Sequence, residues 1–163
     1  MEYRARKSPR LQGYDYSQQG AYFVTICVQR RRWLFGNVMD DQMHLSPAGE
    51  MIVRYWERVI EQFAAVALDA FVVMPNHLHG ILLLEADRAI SIAELMQWFK
   101  ISTTNTYSRA VREEGWTPFE GKLWQRSYHD HIIRDETDLN RIREYVLYNP
   151  ARWQDDRLRD AEW

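Results

Sequence analysis

The chain has 163 residues, 46% hydrophobic and 27% charged, with a net charge of −2 and 22 aromatic side chains. That is the make-up of one globular domain, able to bury roughly 70% of its unfolded surface, and it excludes a disordered or fibrous chain. No apolar run approaches the roughly 18 residues of a membrane span, the charged residues 1–10 hold no secretory core, and a lone Cys27 excludes an internal disulfide or a cysteine-built zinc site, so a cytoplasmic location is expected.

Residues 1–19 read as an irregular arm with turn residues Pro9, Gly13 and Ser17. Residues 21–29 (AYFVTICVQ) are rich in β-branched and aromatic side chains and predict a strand. Residues 30–43, with Gly36, Asn37 and two aspartates, predict a loop or ragged hairpin. Ser46-Pro47 predicts a helix start, with Ser at the N-cap and Pro at the first position. Ile52, Tyr55, Trp56, Val59 and Phe63 continue that helix at spacings of three and four. Residues 68–74 and 77–84 predict two strands, interrupted by Pro75-Asn76. Residues 91–111 predict a helix with Ile92, Leu95, Met96 and Phe99 on one stripe. Residues 113–122 predict a loop, 128–133 a fourth strand, and 135–148 a final helix that Pro150 stops. The order βαββαβ plus a C-terminal helix predicts an α+β, ferredoxin-like fold: an antiparallel sheet with helices on one face, in a single domain over 1–163.

Charge is unevenly placed. Residues 1–32 carry +5 (Arg4, Arg6, Lys7, Arg10, Arg30, Arg31 and Arg32 against Glu2 and Asp15), and the rest carries −7. A basic start on an acidic body suits local anion binding; a solvated basic tail is the plain alternative.

Four of the five histidines form two His-x-His pairs. His77 and His79 fall in a strand pattern, where a spacing of two puts both imidazoles on one face, a natural pair of metal ligands. His129 and His131 have the same spacing on the last strand, so a four-histidine zinc site is an open rival. In the final helix Tyr145 and Asn149 lie four apart, one turn from each other on one face. Tyr145 falls beside the apolar stripe of Leu139, Ile142 and Val146, where it can point into a cleft or simply sit at a boundary. Asn149 before Pro150 also suits a helix C-cap.

Together these features resemble a family. MPNHLHGI at residues 74–81 resembles the His-hydrophobic-His motif of the HUH endonucleases. WQRSYHDHIIRDETDLNRIREYVLYNPARW at residues 124–153 is similar to the catalytic-helix region of their single-tyrosine, IS200-like transposase branch. GAYFVTI at residues 20–26 resembles the first strand of the REP-associated tyrosine transposases in that branch. The resemblance runs over essentially the whole chain, with the arm least matched. It implies Tyr145 as nucleophile and His77, His79 and Asn149 as ligands of Mg²⁺ or Mn²⁺, and it leaves His129 and His131 outside the metal site. It implies cleavage and rejoining of single-stranded DNA near hairpins. By ligand type, two imidazoles and an amide favour Mn²⁺ over Mg²⁺.

The chemistry is self-consistent. A tyrosine hydroxyl can attack a phosphodiester and stay attached as a 5′-phosphotyrosine, so the step reverses; no sequence feature identifies the base that takes its proton. Candidate DNA contacts are Arg4, Arg6, Lys7, Arg10, Arg30, Arg31 and Arg32, with Trp124, Arg126 and Arg134 flanking the expected cleft. The competing readings are a non-catalytic single-stranded nucleic-acid binder and a hydrolase that uses water. A monomer and a homodimer are both compatible with the sequence.

Overall fold

The structure is a computed structural model, and it describes residues 20–85 and 90–160. The arm residues Arg4, Arg6, Lys7 and Arg10 lie outside the described residues. Four strands form one antiparallel sheet in the order β4-β5-β1-β6: β1 is Gly20–Cys27, β4 Val66–Met74, β5 His77–Leu84 and β6 His129–Ile133. This is the expected ferredoxin-like order of elements. A hairpin of β2 (Gly36–Met39) and β3 (Gln42–Leu45) stands apart as a second sheet. It is closed by Asp40 and Asp41, both in left-handed conformation (φ 52° and 59°), as a tight two-residue hairpin turn requires.

The helices divide between the two faces. Along β1 the even positions Tyr22, Val24, Ile26 and Val28 point to the larger core, shared with α1 (Pro47–Glu57) and α3 (Ile92–Glu114). The odd positions Ala21 and Phe23 face a smaller cluster, shared with Ile142 and Val146 of α4 (Glu136–Leu147). One-sided coverage therefore holds for the two crossover helices, and the C-terminal helix packs on the opposite face. Arg143 anchors α4 to β4 by a bidentate pair with Asp69 (Nε–Oδ1 2.8 Å, Nη2–Oδ2 2.6 Å).

Local signals set the helix ends. Ser46 accepts from the Gly49 N–H with Pro47 behind it, and Ser91 and Glu94 form a capping box. The first helix is shorter than its stripe predicts: it ends at Glu57, and Val59–Gln62 is a separate short turn, α2. Fully buried Trp56 crosses the central strands at Gly80, where an added Cβ would stand 2.3 Å from its ring.

Candidate active site

β5 is a central strand, so both edges of its histidine end are paired, with β1 on one side and β4 on the other. Cross-strand register aligns His79 with Thr25 and Val72, and His77 with Cys27 and Met74. His77 is 0% and His79 2% exposed, and their Nε2 atoms lie 3.0 Å apart. Each Nδ1 has its own partner: Asn76 Oδ1 at 2.7 Å for His77, and Thr25 Oγ1 at 2.7 Å for His79. The Asn76 amide is oriented by its nitrogen, which donates to the carbonyls of Arg31 (3.0 Å) and Leu158 (2.6 Å). Its oxygen must therefore accept from the His77 Nδ1–H, which leaves the His77 Nε2 lone pair facing inward. Burial pushes the His77 pKa down to about 3, opposed by the Asn149 amide, with a lesser push downward from the Arg31 charge. Burial also holds His79 well below the usual histidine value, with the neighbouring His77, Arg157 and His129 acting in the same direction. Both rings are neutral, as ligands must be.

A carboxylate joins them. Asp156 Oδ2 lies 3.9 Å from His77 Nε2, and its Oδ1 accepts from the Leu158 N–H at 2.8 Å. With His77 neutral this approach is not an ion pair. His77, His79 and Asp156 each offer a ligand atom within 4.8 Å of the others, and among the described residues no other such group of histidine, cysteine and acidic side chains occurs. His129 and His131 share this face, paired with Thr25 and Phe23. They sit on the edge strand, where His129 is exposed and His131 bonds Asp138 at 2.7 Å. The four-histidine zinc site is not assembled.

α4 is capped at Asp135, whose side chain accepts from the Asp138 N–H, and it brings Tyr145 over this face. Tyr145 meets His79 at 5.3 Å and 64°, and Phe23 at 6.1 Å and 89°, while Phe23 stacks on His79 at 5.3 Å. One turn on, Asn149 is 2% exposed, and its Oδ1 is buried without a partner of hydrogen-bonding geometry. The same amide biases the ionisation of both His77 and Tyr145. Tyr145 is 37% exposed and opens on a cleft of about 990 Å³, whose charged lining includes Arg31, Arg141, Arg152, Arg157 and Asp156. Burial and then the Asp156 charge raise the phenol above its usual value, opposed by Asn149, Arg157 and Arg152.

The other expected DNA contacts are dispersed. Arg31 lines the cleft and donates to the Arg157 carbonyl at 3.3 Å. Arg30 reaches Glu120 at 3.4 Å, and Arg32 reaches the Pro118 carbonyl at 3.1 Å. Arg126 borders a separate, smaller groove beside α3. Arg134 follows β6 at the end away from His79, so it does not flank the cleft. Trp124 is corrected outright: it is 4% exposed, donates to Thr103 Oγ1 at 2.9 Å and packs on Phe35 and Phe99. It has no open face for a base. Asp156, Arg152 and Arg157 went unread in the sequence, where they lie in a charged tail with no periodicity. Only their place just past Asn149 was a hint.

Comparisons with known proteins bear on the family and the fold. The profile of the family described as "Transposase IS200 like" matches residues 16–149. An uncharacterized protein of Haemophilus influenzae is 37% identical over 94% of this chain and 92% of its own. A provisionally named REP-associated tyrosine transposase of the same organism is 26% identical, over 85% of this chain and 74% of its own. Among solved structures, a REP-associated tyrosine transposase bound to a REP hairpin is similar in fold (TM-score 0.65, 21% identity, 88% of this chain and 73% of that one). A transposase structure from Deinococcus radiodurans R1 has a TM-score of 0.50 at 18% identity, over 85% of this chain and 96% of that one. The chain belongs to the IS200-like transposase family.

Proposed function

We propose that this transposase is a metal-dependent single-strand DNA endonuclease that cuts and rejoins strands near hairpins through a 5′-phosphotyrosine at Tyr145. The observation that carries this reading is that Tyr145, His79 and Asn149, whose buried Oδ1 has no partner, line one cleft, with the His77 Nε2 atom 3.0 Å from that of His79. The hairpin in the REP-associated relative supports the choice of DNA.

The donor set fits a divalent ion. An orphaned buried amide oxygen is costly unless something completes it, and the Asn149 amide neighbours His77, whose own ring stands with His79 and Asp156. His77, His79 and Asn149, with Asp156 beside them, would hold Mg²⁺ or Mn²⁺, which when bound supplies Lewis-acid stabilisation to the leaving 3′-oxygen. The Tyr145 oxygen attacks phosphorus and gives up its proton to water, the bond from phosphorus to the 3′-oxygen breaks, that oxygen takes a proton to become a 3′-hydroxyl, and the 5′-phosphate stays on the tyrosine. Because the ester keeps the bond energy, a 3′-hydroxyl can reverse the step. Arg31, Arg152 and Arg157 along the cleft suit backbone phosphates. Phe23 and His79 fix the Tyr145 ring from two sides, which limits the motion lost before attack.

The test is labelled single-stranded hairpin DNA incubated with Mn²⁺ and run on a denaturing gel. Wild type should give a cleaved strand and a covalent adduct. Tyr145→Phe should give neither while binding DNA nearly as well. Cleavage by the Phe variant would favour attack by water, and DNA binding without cleavage by wild type would favour a non-catalytic binder.

A further inference from the structure

We infer that Asn76 is a positioning residue that holds two separate halves of the metal site together, orienting His77 from one side and holding the Asp156 segment, as an added anionic ligand, from the other. This rests on the metal reading above.

Asn76 sits in the turn before β5 and is 0% exposed. Its oxygen accepts from His77 at 2.7 Å. Its nitrogen donates to Leu158 O at 2.6 Å and Arg31 O at 3.0 Å, with Arg159 O at 3.5 Å. Residues 156–159 have left α4 and have no regular structure, so their backbone needs outside partners. The first part of the chain supplies them at three successive carbonyls: Arg31 binds Arg157 O at 3.3 Å, Asn76 binds Leu158 O, and the Trp33 indole N–H binds Arg159 O at 2.8 Å. This row of captures fixes the segment that presents Asp156 Oδ2 to His77 Nε2. Arg31 accepts a left-handed backbone (φ 51°) at the point where its carbonyl meets Asn76.

Only a side-chain amide can do both jobs, accepting on one atom and donating two hydrogens from the other. Aspartate keeps the acceptor for His77 and loses both donors; alanine loses everything. The two substitutions therefore separate the histidine half from the Asp156 half.

The experiment is Mn²⁺ titration of the full chain, with free Mn²⁺ read by electron paramagnetic resonance and folding checked by thermal melts. Asn76→Ala should weaken Mn²⁺ binding about 10–100-fold, the range for partners that orient metal ligands. Asn76→Asp should fall to the level of Asp156→Asn, and the double variant should fall no further than either single one. Asn76→Asp or Asp156→Asn with wild-type affinity, or a double variant whose loss is the product of the single losses, overturns the inference. If Asn76→Ala does not fold, the Asp and Asn variants still decide. Wild type that binds no Mn²⁺ would refute the metal reading and this inference with it; wild type that binds while Asn76→Asp is unaffected refutes only the inference.

Discussion

Asn149 shows how one side chain can be asked for either structure or chemistry. As a helix cap its removal would cost about 1 kcal/mol, but the amide makes no cap hydrogen bond here and its oxygen is unpartnered. Asn149→Ala is therefore expected to leave the melting temperature nearly unchanged and to weaken Mn²⁺ binding about tenfold or more; melts and Mn²⁺ titration together check this. The buried histidines make a second prediction. His77 resists protonation down to about pH 3 and His79 also titrates well below the usual value, whereas in the unfolded chain both take a proton near pH 6.5. Between those values the unfolded state binds more protons, so stability is complete above pH 6.5 and is lost as pH falls toward 3. The loss is about 1.4 kcal/mol per pH unit for each ring that stays neutral. Metal-free protein should show melting temperatures that drop between pH 6.5 and 4.5, and His79→Gln should reduce the slope. Spacing alone could not rank the two histidine pairs at this scale, because all four rings share one sheet face. Burial separates them: β5 is central and lies under α4, whereas β6 is an edge.

Among the elements, β5 has little room for change at its centre. Gly80 lies where the Trp56 ring comes within 2.3 Å of an added Cβ, with a second ring atom at 2.9 Å. The indole is itself fully buried against Phe71 and Phe99 and has nowhere to go. Gly80→Ala should cost about 1–3 kcal/mol through overpacking, seen as a lower denaturation midpoint, without changing Mn²⁺ affinity below the transition. Much of this level was readable. Caps and stripes predicted helices over 91–111 and 135–148, close to the observed Ile92–Glu114 and Glu136–Leu147. The sequence leaves the β2–β3 hairpin open between a loop and a hairpin, and its turn is Asp-Asp. That pair carries a weaker turn signal than Asn-Gly, although both residues adopt the left-handed conformation. The break at Arg58 gave no signal, since Val59 continues the apolar spacing across it.

For the whole molecule, what escaped the sequence was contact between distant segments. Asp156 approaches His77, and Arg31, Trp33 and Asn76 bond the three carbonyls that follow it; no local pattern announces that. Trp124 misled for the related reason that composition does not say where an aromatic goes. Among the described residues Trp56, Trp153, Tyr22, Tyr107, Phe35 and Phe99 are all buried, whereas Trp33 and Tyr148 are exposed, so aromatic residues serve both core and surface. The division of the sheet into two faces also has a consequence for how the protein tolerates change. One strand, β1, serves stability with its even residues and the cleft with its odd ones, Phe23, Thr25 and Cys27. A library of all single substitutions, scored separately for protein abundance and for DNA cleavage, should therefore alternate along residues 22–28. Substitutions at 22, 24, 26 and 28 should deplete the protein itself, those at 25 and 27 should leave it abundant and inactive, and those at Phe23, which also packs in the smaller cluster, should lower both. Abundance and activity falling together at every position would mean that the two faces are not independent.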